Sequence, residues 1–357
     1  MTAVSPANFA ATGSDAEALL LKMYSNSFVS APRSGIFLFG GPSDRFIFRP
    51  PVAGMGGKSW QYLMMADVPA PEEFDPGSEL LGQAMAIDEG TIVTDKYVMC
   101  HQWIGKDKMD QAHFRAQIIP QLGEKHRNQI ERGYDHRAMI TAALGARSTT
   151  AVTKNGLNVH NGGNRVTRTG GGSGTTLANA YSLDSTGAAA LRADLRLLGL
   201  RMTQDMIAPG PQNRGLILAP HLMTVLTYDN TAQVFSKDYV TTNDQQRHEI
   251  NVIENFAVIG QANLSSDGGP LPDTNITNLQ TKYNANFSCQ ASNGIPGVLA
   301  FTRSQDGEYG LGSATFDTLT HRVKYFEERL AWLVFSYIRT GVDVMHPWCL
   351  GSIEAIA

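Results

Sequence analysis

Residues 90–146 read GTIVTDKYVMCHQWIGKDKMDQAHFRAQIIPQLGEKHRNQIERGYDHRAMITAALGA, and the change of pattern inside this stretch decides the fold. Residues 90–100 alternate and are rich in β-branched side chains, which predicts a strand. From Ile118 to Ala146 the pattern becomes that of one long helix, with Pro120 in the first turn, where a missing N–H costs nothing. About 27 residues rising 1.5 Å each make a rod of roughly 40 Å. Its apolar positions, Leu122, Ile130, Tyr134, Met139 and Ile140, are sparse, and Arg, Lys, Glu and His crowd the rest. A helix with so narrow an apolar stripe is expected on a surface or between subunits.

Upstream, RPPVAGMGGKSWQYLMMADVPAPEEFDPGSEL (49–80) carries too much Pro and Gly for a long helix. Short strand-like pieces either side of Gly54–Gly57 suit a two-stranded excursion with little core of its own, which must find its packing partner elsewhere. Gly54, Gly56 and Gly57 are assigned to loop flexibility. Before it lie a loose arm (1–15), a short helix (16–29) and an extended aromatic piece (37–48).

Downstream, 155–177 reads as a Gly/Asn/Thr-rich loop and 187–206 as an amphipathic helix starting at Gly187. A strand (214–220), a helix (221–229) and a strand pair (249–263) follow, then a loose stretch (265–288) and a strand (297–303). At the end, 315–325 reads as a strand, FEERLAWLVFSYIRTG (326–341) as a helix opened by Glu327 and Glu328 at its positive end, and PWCLGSIEAI (347–356) as a closing strand. The mixture is α+β.

With 357 residues the chain exceeds one compact domain, so two or three sub-domains are expected. It is 42% apolar and only 17% charged, against a usual charged share of about 25%. A subunit that buries surface against copies of itself has such a composition, and so do many enzymes. The net charge of −4 carries no basic excess for gripping nucleic acid. Cys100, Cys289 and Cys349 show no paired spacing and read as reduced thiols. The first residues lack a basic run followed by an apolar one, and no stretch approaches the roughly 18 apolar residues of a membrane span. The expectation is a protein made in the cytoplasm.

Signals for chemistry are weak. GMGGKS (54–59) departs from a phosphate-binding loop, because Val52 stands where the first glycine belongs and Pro69, Pro71 and Pro76 follow too soon for a helix. GGGSG (170–174) follows no evident buried strand and reads as a mobile loop. His126 and His136 are too far apart along the helix to share a metal and read as solvated or inter-subunit side chains. His101, His160 and His221 have no ligand-spaced companions. The expected set therefore holds no catalytic residue, cofactor site or metal site. Inter-subunit contact is instead assigned to Lys58, Trp60 and Tyr62 of the excursion, to Glu72 and Glu73 of its acidic turn, and to Arg127, Arg132 and Arg137 of the helix.

The order arm, projecting hairpin, strand, long polar helix, α/β lobe and closing elements resembles the HK97-type capsid fold. Three segments, 57–80, 90–143 (with QLGE at 121–124) and 321–356, are similar to the extended loop, spine region and tail of major capsid proteins of T7-like podoviruses. The resemblance implies an N-terminal arm (1–45), an extended loop overlapping a neighbour (46–89) and a peripheral domain with the spine helix (90–149). It further implies an axial domain (150–297), peripheral strands (298–325) and an axial C-terminal helix and strand (326–357). Such a chain would build hexamers and pentamers of an icosahedral head around double-stranded DNA. Its implied partners are itself and scaffolding, portal and cement proteins, with no membrane and no sequence-specific hold on DNA. Another virion structural protein, or a nucleotide-binding enzyme, is the alternative.

Overall fold

The structure is a computed structural model, and it describes residues 45–50, 59–65, 73, 82, 85, 87–94, 97–107, 115–148, 152–154, 157–160, 162–169, 176–205, 207–228, 252–261, 295–304 and 307–356. The expected arm and short helix (16–29), the glycines of GMGGKS, GGGSG, Cys289 and the 265–288 stretch lie outside these residues.

Two larger sheets carry the molecule. A four-stranded sheet has the order β1 (Ile47–Phe48), β12 (Leu311–Phe326), β13 (Ala331–Val344), β4 (Tyr97–Gly105). A six-stranded sheet has the order β7 (Asn164–Thr169), β14 (Leu350–Ile356), β11 (Ile295–Thr302), β8 (Arg214–Leu218), β10 (Phe256–Gln261), β9 (Val252–Ile253). Two hairpins stand apart from these: β2 (Ser59–Met65) with β3 (Ile87–Val93), and β5 (Val152–Lys154) with β6 (Leu157–His160). The helices are α1 (Arg115–Arg147), α2 (Leu177–Ala180), α3 (Ser185–Gln204) and α4 (Pro220–Leu226).

The α3 helix shows how sequence sets an element. Leu191, Leu195, Leu198 and Met202 recur at helical spacing, and all are buried against the six-stranded sheet. The helix starts at Ser185 rather than Gly187, because the Asp184 carboxylate accepts from the Gly187 N–H at 2.7 Å and caps it. Those backbone hydrogen bonds hold the Asp184 carboxyl below its ordinary pKa. Near the other end Arg214, buried, donates to the Gly199 carbonyl at 2.9 Å and to the Thr203 hydroxyl at 2.8 Å, tying β8 to the helix. The predicted strand pair at 249–263 is β9–β10, joined by Glu254 (φ 44°) and Asn255 (φ 68°), the left-handed pair a two-residue hairpin requires.

Several expectations change. Residues 90–100 are not one strand: β3 ends at Val93, and β4 begins at Tyr97 with a different partner. Buried Thr94 marks the break, its carbonyl accepting from Arg339 Nε at 2.6 Å. The long helix starts at Arg115, so Pro120 lies inside it rather than in its first turn and removes one internal hydrogen bond.

The second half of α1 is buried within its own chain. Ala138, Ala142, Ala143, Leu144 and Ala146 join Phe46, Leu311, Val344 and Leu350 in one core. The apolar stripe looked narrow because this half is built from Ala and Gly, whose burial comes from close approach rather than bulk. At Gly145 a Cβ would lie 2.6 Å from Leu350 Cδ1 and 2.7 Å from Val344 Cγ2.

The largest correction is at 326–341, where no helix forms. A 3-10 turn at Glu327–Arg329 and left-handed Leu330 (φ 41°) reverse the chain, and Ala331–Val344 continues as β13 between β12 and β4. Ala-Trp-Leu-Val-Phe-Ser-Tyr-Ile satisfies a helical and a strand pattern alike, and two antiparallel partners decide for the strand. Glu327 and Glu328 therefore sit on a turn. The 155–177 segment is not all loop either: β7 pairs in parallel with β14 as the edge strand of the six-stranded sheet, its last three residues exposed or half-buried. Glu354, fully buried on β14, holds Arg147 at the end of α1 and Arg165 of β7, each at 2.8 Å, locking helix and sheet edge together.

Candidate interaction surfaces

The hairpin β2–β3 has two unlike faces, because residues opposite in the register point the same way. Trp60 faces Ile92 and Tyr62 faces Gly90. These four turn inward. Ile92 is fully buried, and the Tyr62 ring occupies the space a side chain at residue 90 would need. The Tyr62 hydroxyl donates to the Val344 carbonyl at 3.1 Å, while Trp60 stacks on Tyr62 at 5.5 Å and meets Phe48 at 5.4 Å. The root of the hairpin is thus riveted to β13 and β1. The opposite face carries Leu63 (71% exposed) and the directly paired Met65 (63%) and Ile87 (40%). Met85 extends this apolar face beyond β3.

The four-stranded sheet also has two faces. Ser336 of β13 lies opposite Cys100 of β4 and His321 of β12, and this face receives α1. The other face carries Tyr97, Met99, His101 and Trp103 from β4, Phe335, Tyr337 and Arg339 from β13, and Arg322, Lys324 and Phe326 from β12. Cations lie on the rings: Arg339 over Tyr97 at 5.6 Å, Arg322 over Tyr337 at 5.9 Å, Lys324 over Phe326 at 5.0 Å and Arg329 over Trp103 at 4.9 Å. Among the described outward side chains of these three strands from Tyr97 to Trp103, Leu333 to Arg339 and Thr320 to Phe326, none is a carboxylate. With Tyr97 and Met99 more than half exposed, the face can receive a segment that brings acids and apolar side chains.

The residues expected to touch neighbours are placed unevenly. Tyr62 is buried and Trp60 half-buried, so both anchor the hairpin to its own chain. Glu73 is exposed. Lys58, Glu72, Gly54, Gly56 and Gly57 lie outside the described residues, as does the side chain of Arg132. Arg127 pairs with Glu131 one turn on, at 2.6 Å, and Arg137 is half-buried on α1. His126 is not solvated as expected: it is buried beneath the helix, against Ser336. The aromatic and cationic face was not visible in sequence, since a strand read as a helix hides which side chains share a side.

Among the described residues no group of His, Cys, Asp and Glu is arranged to hold a metal, and no helix is long and apolar enough to cross a membrane.

No family model and no curated protein matches the sequence. Solved structures do. The capsid of cyanophage P-SCSP1u superimposes with a TM-score of 0.69 at 16% identity, over 95% of this chain and 94% of that one. The mature capsid of bacteriophage PhiM1 gives 0.64 at 13% identity, over 94% and 93%. The capsid of the empty GTA particle gives 0.57 at 12% identity, over 99% and 100%. At such identities the likeness is one of architecture carried over nearly the whole length of both chains: this chain has the HK97-type α+β fold of phage capsid structures.

Proposed function

We propose that the chain is the major capsid protein of a tailed phage, of the T7-like podovirus kind, and works by association rather than catalysis. The single observation that carries this is the end-to-end match of its fold to capsid chains. In this reading hexamers and pentamers of one sequence close an icosahedral head around double-stranded DNA, with scaffolding, portal and cement proteins as further partners. Residues 1–45 act as arm and 46–89 as extended loop, while 90–149 and 298–325 form the peripheral domain and 150–297 and 326–357 the axial one. The shell assembles in the host cytoplasm.

The loop of one subunit lies on the open sheet face of the next. Asp67, Glu72, Glu73, Asp75, Glu79, Asp88 and Glu89 make 66–89 acidic, with no Lys or Arg among those residues, and Leu63, Met65 and Ile87 add apolar surface. The face opposite offers Arg322, Lys324, Arg329 and Arg339 on aromatic rings. Lys58, Arg132 and Arg137 are assigned to the same class of contact. Obligate interfaces bury roughly 2,000 Å² or more, and a clasped loop reaches that by adding contacts that must break together. Negative-stain microscopy of the expressed protein is the test. Closed particles tens of nanometres across are expected, and a uniform monomer at assembly concentrations rejects the proposal.

A further inference from the structure

Two histidines far apart in sequence, His126 and His321, converge where the first half of α1 crosses the four-stranded sheet. His126 is 5% exposed, and its Nδ1 stands 3.3 Å from the Ser336 hydroxyl of β13. His321 of β12, opposite Ser336 in the register, brings its own Nδ1 to 2.6 Å from the same hydroxyl. Gly123, one turn before His126, sits over His321, where a Cβ would lie 3.9 Å from that nitrogen. His101 of β4, opposite Phe335 and exposed, lies on the other face of the sheet and is not part of this contact.

No described carboxylate compensates a charge here. On α1 the same helical face carries Leu122, Gly123, Gln129 and Ile130, and the flanking residues are Lys125 and Arg127, the latter already paired with Glu131. The β12 and β13 residues facing His126 are His321 and Ser336. From β4 comes Cys100, opposite Ser336, whose thiol burial pushes up and keeps neutral in acid. The second ring nitrogen of His126, Nε2, is buried and has no hydrogen-bond partner among the described residues. Protonating the ring would bury a charged, unpaired N–H with no carboxylate beside it.

We propose that His126, seated with His321 on the Ser336 hydroxyl, forms a proton-operated joint, which holds the first half of α1 on the sheet while its ring is neutral and releases it as pH falls below the ordinary imidazole range. The second half of the helix stays, packed on Val344 and Leu350 and tied through Arg147 to Glu354. Burial first, then the charges of His321 and His101, lower the pKa of His126 below that of a free imidazole. The folded state therefore binds fewer protons than the unfolded one. The contribution is complete above about pH 6.5 and is lost as pH falls through the lowered value. The joint is a property of the chain and does not rest on the shell reading.

Hydrogen–deuterium exchange on the full chain, corrected for intrinsic rates and read at about pH 7.5 and about pH 5, tests it, the window spanning an ordinary imidazole titration. Amides of 119–131 are expected to exchange about tenfold faster at the lower pH, as the first half of the helix opens locally, while those of α3 hold steady. His126→Asn, neutral throughout and able to donate to Ser336, is expected to reduce that rise to less than about twofold, and His321→Asn to reduce it by about half on the same scale. Absence of the rise in the native chain overturns the proposal, and so does an unchanged rise in either variant. Because His321 is exposed, its variant serves should His126→Asn fail to fold.

Discussion

At Gly145 two energies of opposite sign meet. Replacing a helical glycine by alanine stabilises an exposed helix by about 1 kcal/mol, but overpacking a filled core costs about 1–3 kcal/mol. The Cβ would press on Leu350 and Val344, both in the core, so packing wins: Gly145→Ala is expected to lower the urea midpoint with an unchanged slope. Glu354 presents the electrostatic counterpart. It is the shared partner of Arg147, itself buried, and of Arg165. Glu354→Gln leaves a buried guanidinium without its carboxylate, a loss of about 3–5 kcal/mol, and equilibrium denaturation checks it. Neither residue declared itself in sequence. A glycine within a helical pattern and a glutamate in the closing strand look ordinary until the partners across the fold are known.

Hairpin and sheet face are separable elements, and the structure shows where to cut. Met65 and Ile87 are directly paired, so residues 66–86 can be replaced by Asn-Gly, the turn that joins paired strands in two residues, leaving the Tyr62 anchor intact. That variant is expected to fold, by circular dichroism, and to form no particles under the microscope. Normal particles would remove the loop from the assembly mechanism. Reversing charge on the opposing face, Arg322→Glu with Lys324→Glu, is expected to block assembly in the same way without unfolding, since both side chains are exposed. Combining it with lysines at Glu72 and Glu73 should recover particles if the two surfaces meet. The hairpin was legible as an element because Pro and Gly exclude a helix and alternation survives in SWQYLMM. Its polarity was misjudged: Trp60 and Tyr62 turn inward, and the outward side is Leu63, Met65 and Ile87.

For the whole molecule, particles that form are expected to dissolve into a single 38.7 kDa band on boiled denaturing gels, because ion pairs and apolar contact, which heat and detergent break, are what the loop and the sheet face offer each other. A ladder of higher masses would show bonds between subunits instead. Local signals alone set the long helix, the amphipathic α3, the β9–β10 pair and the excursion, since period, capping and turn chemistry act over a few residues. They also set the order of elements on which the fold resemblance rested, except its closing strand–helix–strand, where the helix is β13. Only tertiary structure decided that 326–341 is a strand, because its apolar run suits either period and β12 and β4 supply the backbone partners. That one pairing creates the aromatic and cationic face. It also brings Ser336 and His321 beneath His126, a meeting of groups from three distant segments that no spacing within any one of them encodes.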